Sequence, residues 1–344
     1  MIPRGPIYFR IRQDVLTTFP TKLSSRVTNR HSFSDWLMNA SGSFVVASIT
    51  NSEFVIRASP IDVAQSLLVE IELFSNHCFE HLQELAASAS DTRVRSDSWN
   101  VVTIYYFGFF SAQLFTRLVG KPVVYLGREN IQKIKSLGGI PSKLGVGSYV
   151  VEKISNTNGN VEEYKVRKTN NSKIHEATWV EAFSYFREIM SDSSVLTDAE
   201  EVLLYDSITT LHLRGVYNEG WPSMVRTKAN YRPGFSYLGV ENNSIAKSKK
   251  LIEQWKKLEL SKVAQHLDIS VRACAPPSHG NYSNHVRLLH DISQTLFIIS
   301  RQLYSELLER TKIGMTWENR RSAFRKEMAI SEADFPAIGH IYHR

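Results

Sequence analysis

Residues 98–122, SWNVVTIYYFGFFSAQLFTRLVGKP, decide the reading of the fold. Val101, Val102, Ile104, Tyr105, Tyr106, Phe107, Phe109, Phe110, Leu114, Phe115 and Leu118 leave this stretch almost no polar face. A helix that is apolar on nearly every side must lie buried at the centre of a fold. Asp97 or Ser98 supplies a cap before Trp99, and Gly120 at C′ with Pro122 just beyond supplies the stop. The pattern therefore predicts a central helix over 99–119. Upstream, Ser59-Pro60 pairs an N-cap residue with a proline at the first helical position. Ile61, Ala64, Leu67, Leu68, Ile71, Phe74, Cys78, Leu82 and Leu85 then recur at three- and four-residue spacing, predicting an amphipathic helix over 60–87. The two helices are expected to pack antiparallel.

The flanking segments differ in pattern. Residues 1–58 read as mixed, with short strands at 7–11, 44–49 and 54–57 and a short helix at 33–38. Residues 121–173 begin with a strand at 123–126. A connector follows around Pro141, rich in glycine (Gly138, Gly139, Gly145, Gly147). Two alternating runs, 148–154 and 161–167, then flank Asn158-Gly159, a hairpin turn pair. Helices are expected at 178–190, at 197–211 behind a Thr197/Glu200 capping box, at 244–267 and at 282–310, while 221–239 reads as irregular. The fold class is mainly α: a helical bundle with a β-hairpin insertion and a small mixed α/β N-terminal segment. The parts are a mixed segment at 1–58, a helix pair at 59–120, the insertion at 121–173 and the helices completing the bundle at 174–344.

With 344 residues, 41 Lys+Arg against 34 Asp+Glu, 42% hydrophobic and 22% charged residues, the composition excludes a disordered, collagen-like or rod-like chain. The longest apolar stretch, 101–110, is far short of the ~20 residues that span a bilayer. Residues 1–14 lack the apolar run of a secretory signal. The expectation is a soluble, cytoplasmic protein without a membrane partner. Cys78 and Cys274 allow at most one disulfide and cannot build a four-cysteine zinc site. P-loop, dinucleotide-binding and nucleophile-elbow motifs are absent, as is H-E-x-x-H. His77 and His81, four apart on one helix face, lack a third ligand. Neither a metal nor a cofactor is expected.

Trp99, Tyr105-Tyr106, Phe109-Phe110, Ala112, Leu118 and Gly120 together resemble the second helix of HEPN domains (higher eukaryotes and prokaryotes nucleotide-binding), with 60–87 in the place of the first. The resemblance implies a HEPN-like helical bundle to which 121–173 is an addition. It also implies a bacterial effector or toxin of anti-phage defence, acting on RNA as a homodimer or with a protein partner from the same operon. HEPN ribonucleases pair an arginine with a histidine a few residues later. The imidazole exchanges protons as a 2′-hydroxyl attacks its phosphate, and the guanidinium clamps the developing charge without a metal.

Here Arg226-Thr-Lys-Ala-Asn-Tyr231 follows the helix pair in that order, making Arg226, Asn230 and Tyr231 the catalytic candidates. Tyr231 stands where the histidine would, and a phenol of pKa about 10 is a poor base at neutral pH. The alternative is a turn-and-packing motif in which Tyr231, Phe235 and Tyr237 cover a core edge. Arg26 to His31 has the spacing but precedes the helix pair, and Pro276-Pro277 interrupts Arg272 and His279. Arg10, Arg12, Arg26 and Arg30 are candidate phosphate contacts, with only Asp14 acidic before residue 35. The lysine-rich helix at 244–267 reads as a solvated face. Three functions stay open: a metal-independent ribonuclease, a non-catalytic subunit binding nucleic acid or a partner protein, or an unrelated helical enzyme whose site is assembled from residues distant in sequence.

Overall fold

The structure, a computed structural model, describes residues 5–20, 23, 31–39, 42–90, 96–139, 142–155, 161–171, 173–192, 208, 220–232, 267 and 282–311. In chain order the elements are α1 (Pro6–Thr18), α2 (Phe33–Asn39), β1 (Phe44–Ile49), β2 (Glu53–Ala58), α3 (Pro60–Ser90), α4 (Asp97–Leu118), β3 (Val123–Leu126), α5 (Arg128–Gly138), β4 (Gly147–Ser155), β5 (Glu162–Lys168), α6 (Ile174–Ser191), α7 (Trp221–Tyr231) and α8 (Tyr282–Thr311). Helices hold 69% of these residues, so the mainly α class stands. No helix among the described residues is long and apolar enough to cross a membrane.

The all-round apolar helix is central, as its pattern requires. On α4 only Ser98, Trp99, Tyr106 and Phe110 escape full burial. Helix α3 runs antiparallel to it: Glu70 meets Arg117, Cys78 meets Ser111, and Ser88 meets Asn100. Helix α8 packs on α4 and also meets α3, antiparallel to it, with Phe297 edge-on to Phe79 at 5.6 Å and Arg301 donating to Ser75 Oγ at 3.2 Å. The α4–α8 approach is closest at Gly108, where a Cβ would lie 2.0 Å from Ser293 Oγ and 2.8 Å from its Cβ. Helix α6 stacks Phe186 on Phe115 at 4.7 Å.

A buried polar network ties these layers together. Arg117 donates to Glu70 and to the Val123 carbonyl, and lies 4.4 Å from the Phe74 ring centre. It also donates to the Gln113 side chain, which donates in turn to Thr178 Oγ1 at 2.7 Å. The second Glu70 oxygen accepts the Phe33 N–H at the start of α2. Every group in the network has a partner, the condition under which burying charge is tolerated.

The five strands form one antiparallel sheet, ordered β1-β2-β5-β4-β3. Strand β2 pairs with β5 from Glu53↔Arg167 to Ala58↔Glu162. The strands of the N-terminal segment and those read as an insertion thus share one sheet, because Phe54 and Ile56 need the same buried face as Tyr164 and Val166.

Three local expectations are corrected. Residues 7–11 are helical, within α1. Their alternation of Ile7, Phe9 and Ile11 suggested a strand, but Phe9 is 53% exposed while Tyr8 is buried, and Ile7, Ile11 and Val15 form the inner face at four-residue spacing. The connector before Pro141 contains α5, which turns Ile131 and Ile134 inward and ends at Gly139 with φ +64°. The irregular reading of 221–239 fails over Trp221–Tyr231, where Pro222 sits in the first turn of α7. The expected helices at 197–211 and 244–267 lie outside the described residues, apart from Ile208 and Leu267, both buried. The Asn158-Gly159 turn lies outside them as well.

Candidate functional site

Helix α7 buries Trp221, Val225 and Ala229 and leaves Ser223 and Arg226 half-buried. Arg226 reaches α4, where Nη2 donates to Tyr106 Oη at 2.9 Å. Its guanidinium carbon lies 5.5 Å from the Tyr106 ring centre and 5.9 Å from that of Tyr105. Cation–π attraction of this kind grows as water is excluded. No carboxylate pairs with Arg226 among the described residues, whereas Arg12, Arg57 and Arg117 have Glu306, Glu163 and Glu70. Arg226 Nε is buried without a hydrogen-bond partner. The result is a half-buried cation that no carboxylate among the described residues neutralises.

His175, in the first turn of α6, faces the same place. Its ring stacks on Phe109 at 4.2 Å, and Nδ1 lies 2.9 Å from Tyr105 Oη. Tyr105 Oη is in turn 3.1 Å from Ser223 Oγ. Burial, then the charge of Arg226, push His175 down to about 4, so the imidazole is neutral at neutral pH. Burial pushes Tyr105 up to about 12 and keeps it a phenol. On the far side of Tyr106 the ring row continues: His81 stacks on Tyr106 at 5.9 Å and on Phe110 at 5.5 Å, and His77 on Phe110 at 4.7 Å. Such an arrangement offers planar rings for stacking, a half-buried cation for an anion, and an imidazole able to exchange a proton.

The candidate residues fare differently. Arg226 lies at the centre of this cluster. Asn230 and Tyr231 occupy the exposed last turn of α7, Tyr231 at 71% exposure, so the structure does not bring its phenol to the cluster, nor does Tyr231 cover a core edge. Arg10 lies 3.9 Å from Asp14, and Arg12 pairs with Glu306 at 2.9 Å. Arg26 and Arg30 lie outside the described residues. His77 Nδ1 donates to Glu80 Oε2 at 2.8 Å, and no metal-binding group of three His, Cys, Asp or Glu occurs among the described residues. His175 and Ser223 were not singled out in the sequence, and Tyr106 only as part of the central helix. The Tyr105-Tyr106 pair was the available signal, since it joins both halves of the cluster.

A cavity of about 270 Å³ opens elsewhere, beside Arg10, Asp14, Lys121, Lys153, Glu152 and Glu188. Its charges already pair, Lys121 with Glu188 and Lys153 with Glu162. Compared with known proteins, the chain matches no family model, no curated protein and no solved structure.

Proposed function

We propose that the protein is a divergent HEPN-like effector that acts on single-stranded RNA at the α4–α6–α7 cluster, as a metal-independent ribonuclease of bacterial anti-phage defence. The observation carrying this reading is the half-buried Arg226, without a carboxylate partner among the described residues, layered against Tyr105 and Tyr106. A guanidinium so placed suits a phosphodiester, and the half-buried ring of Tyr106 beside it suits a base free of a duplex. The central α4 against α3, with α8 behind, fits the helical bundle that the resemblance implies. Homodimerisation and an operon partner belong to the same proposal.

The test is incubation of purified protein with total RNA in the absence of added metal, reading 2′,3′-cyclic phosphate ends. Wild type cleaves, and Arg226→Ala loses activity by ~100-fold or more, because a clamp acts on the transition state. Equal cleavage by both proteins removes the site. A second reading, a non-catalytic subunit that binds RNA, draws on one observation: His175 is held as a neutral imidazole with a pKa of about 4, well below the range that serves acid–base exchange best. It expects RNA binding that depends on Arg226 with no cleavage by wild type.

A further inference from the structure

We infer that Arg226, Tyr106 and His175 form an oxyanion site for a phosphodiester, in which the anion enters together with one proton that settles on His175 Nε2. The inference rests on the RNA reading only for the identity of the natural ligand.

The geometry supplies both halves. Arg226 has one terminal nitrogen fixed on Tyr106 Oη, while Nη1 has no hydrogen-bond partner among the described residues. His175 uses Nδ1 alone, leaving Nε2 without one among the described residues. With Nδ1–H donating to Tyr105 Oη and Tyr105 O–H donating to Ser223 Oγ, the chain is complete and the basic lone pair sits on Nε2. Taking a proton from solvent at Nε2 then leaves that chain intact and creates an imidazolium donor toward the anion. Phe109, stacked at 4.2 Å, holds the ring plane in place.

The charged and titratable groups facing His175 are Tyr105 and Tyr106 from α4 and Arg226 from α7. On α6 itself Glu176 packs its stem on Gly220. The groups meeting α6 from α1, β4 and β5 face its later turns: Asp14 at Tyr185, and Glu152 and Arg167 at Glu181, while Lys121 reaches Glu188. Among the described residues no carboxylate therefore favours an imidazolium at His175, and Arg226 opposes one. A bound phosphodiester reverses that influence, because it neutralises the guanidinium and adds a negative charge of its own.

The test is an NMR titration of the His175 imidazole in the intact chain between pH 4 and 8, with and without dimethyl phosphate, a diester anion that does not titrate in this range. His175→Gln assigns the resonance. The expected result is an upward shift of the His175 midpoint by about one pH unit with the diester, equal to a tenfold change in affinity. In Arg226→Gln the midpoint should rise without ligand and no longer respond to it. A midpoint indifferent to dimethyl phosphate, or diester binding that is flat with pH and survives His175→Gln, overturns the inference. A protein that shows the linked rise yet cleaves no RNA keeps this site and loses the ribonuclease reading. One that cleaves RNA without the rise does the opposite.

Discussion

Arg117 and Arg226 are the same residue type under opposite conditions. Arg117 is fully buried with all three guanidinium nitrogens directed at Glu70, Gln113 or Val123, whereas among the described residues Arg226 has the Tyr106 hydroxyl and two ring faces. Removing Glu70's charge strands a buried guanidinium, so Glu70→Gln should cost about 3–5 kcal/mol in a urea unfolding experiment. Arg226→Ala should cost far less, since no ion pair is broken. Two histidines make stability depend on pH. His175 and His285 are both pushed down to about 4, His285 by burial and the nearby Lys228. In the unfolded chain each would titrate near ~6.5. As pH falls from about 6.5 to 4 the unfolded chain gains protons that the folded one refuses, so stability present above that window declines through it and levels off below. Melting temperatures measured from pH 7 to 4 should fall, and His285→Gln should flatten the decline. A profile indifferent to pH down to 5 contradicts the burial of both rings.

At the level of the helices and strands, Gly108 sets the α4–α8 spacing. Alanine is the better helix former by ~1 kcal/mol, yet Gly108→Ala should destabilise by about 1–3 kcal/mol because its methyl would overlap Ser293. Combination with Ser293→Gly should be less destabilising than the sum, the signature of a direct clash. Phe109→Ala should cost about 3–5 kcal/mol by leaving a cavity beside His175 and Tyr105. Helices α3, α4 and α8 were legible because their apolar spacing runs for many turns, and β1, β2, β4 and β5 because alternation and turn residues agree. Helix α1 was not, since Phe9 placed a large apolar side chain on its solvent face. Helix α7 was obscured by the surrounding aromatics, although Pro222 in the first turn and Val225 and Ala229 four apart were its signals. Of the site, Arg226 was legible from its position after the helix pair. His175 was not, because its meaning lies in Tyr105, 70 residues away, and only packing brings the two together.

For the molecule as a whole, a net charge of +7 says little until each cation's partner is known. Arg10 and Arg12 are engaged by Asp14 and Glu306, so under the proposed RNA reading replacing both with Gln should leave the salt dependence of binding unchanged and lower the melting temperature instead. Arg226→Gln should reduce the log–log salt slope by ~0.7, the contribution of one phosphate contact on a single strand. The pairing of α1 with α8 reaches further. Tyr8 donates to Glu306 at 2.9 Å, and Arg12 holds the same carboxylate. On the ribosome, α1 emerges well before its docking surface on α8, a wait on the order of tens of seconds at ~5–20 residues per second. Until α8 is made, Tyr8 and Arg12 lack their shared partner Glu306, and for the earlier part of that interval β2 has no β5. Nascent chains of this protein therefore pass through a long stage with an undocked helix and, early in it, an open strand edge, a natural point for chaperone capture.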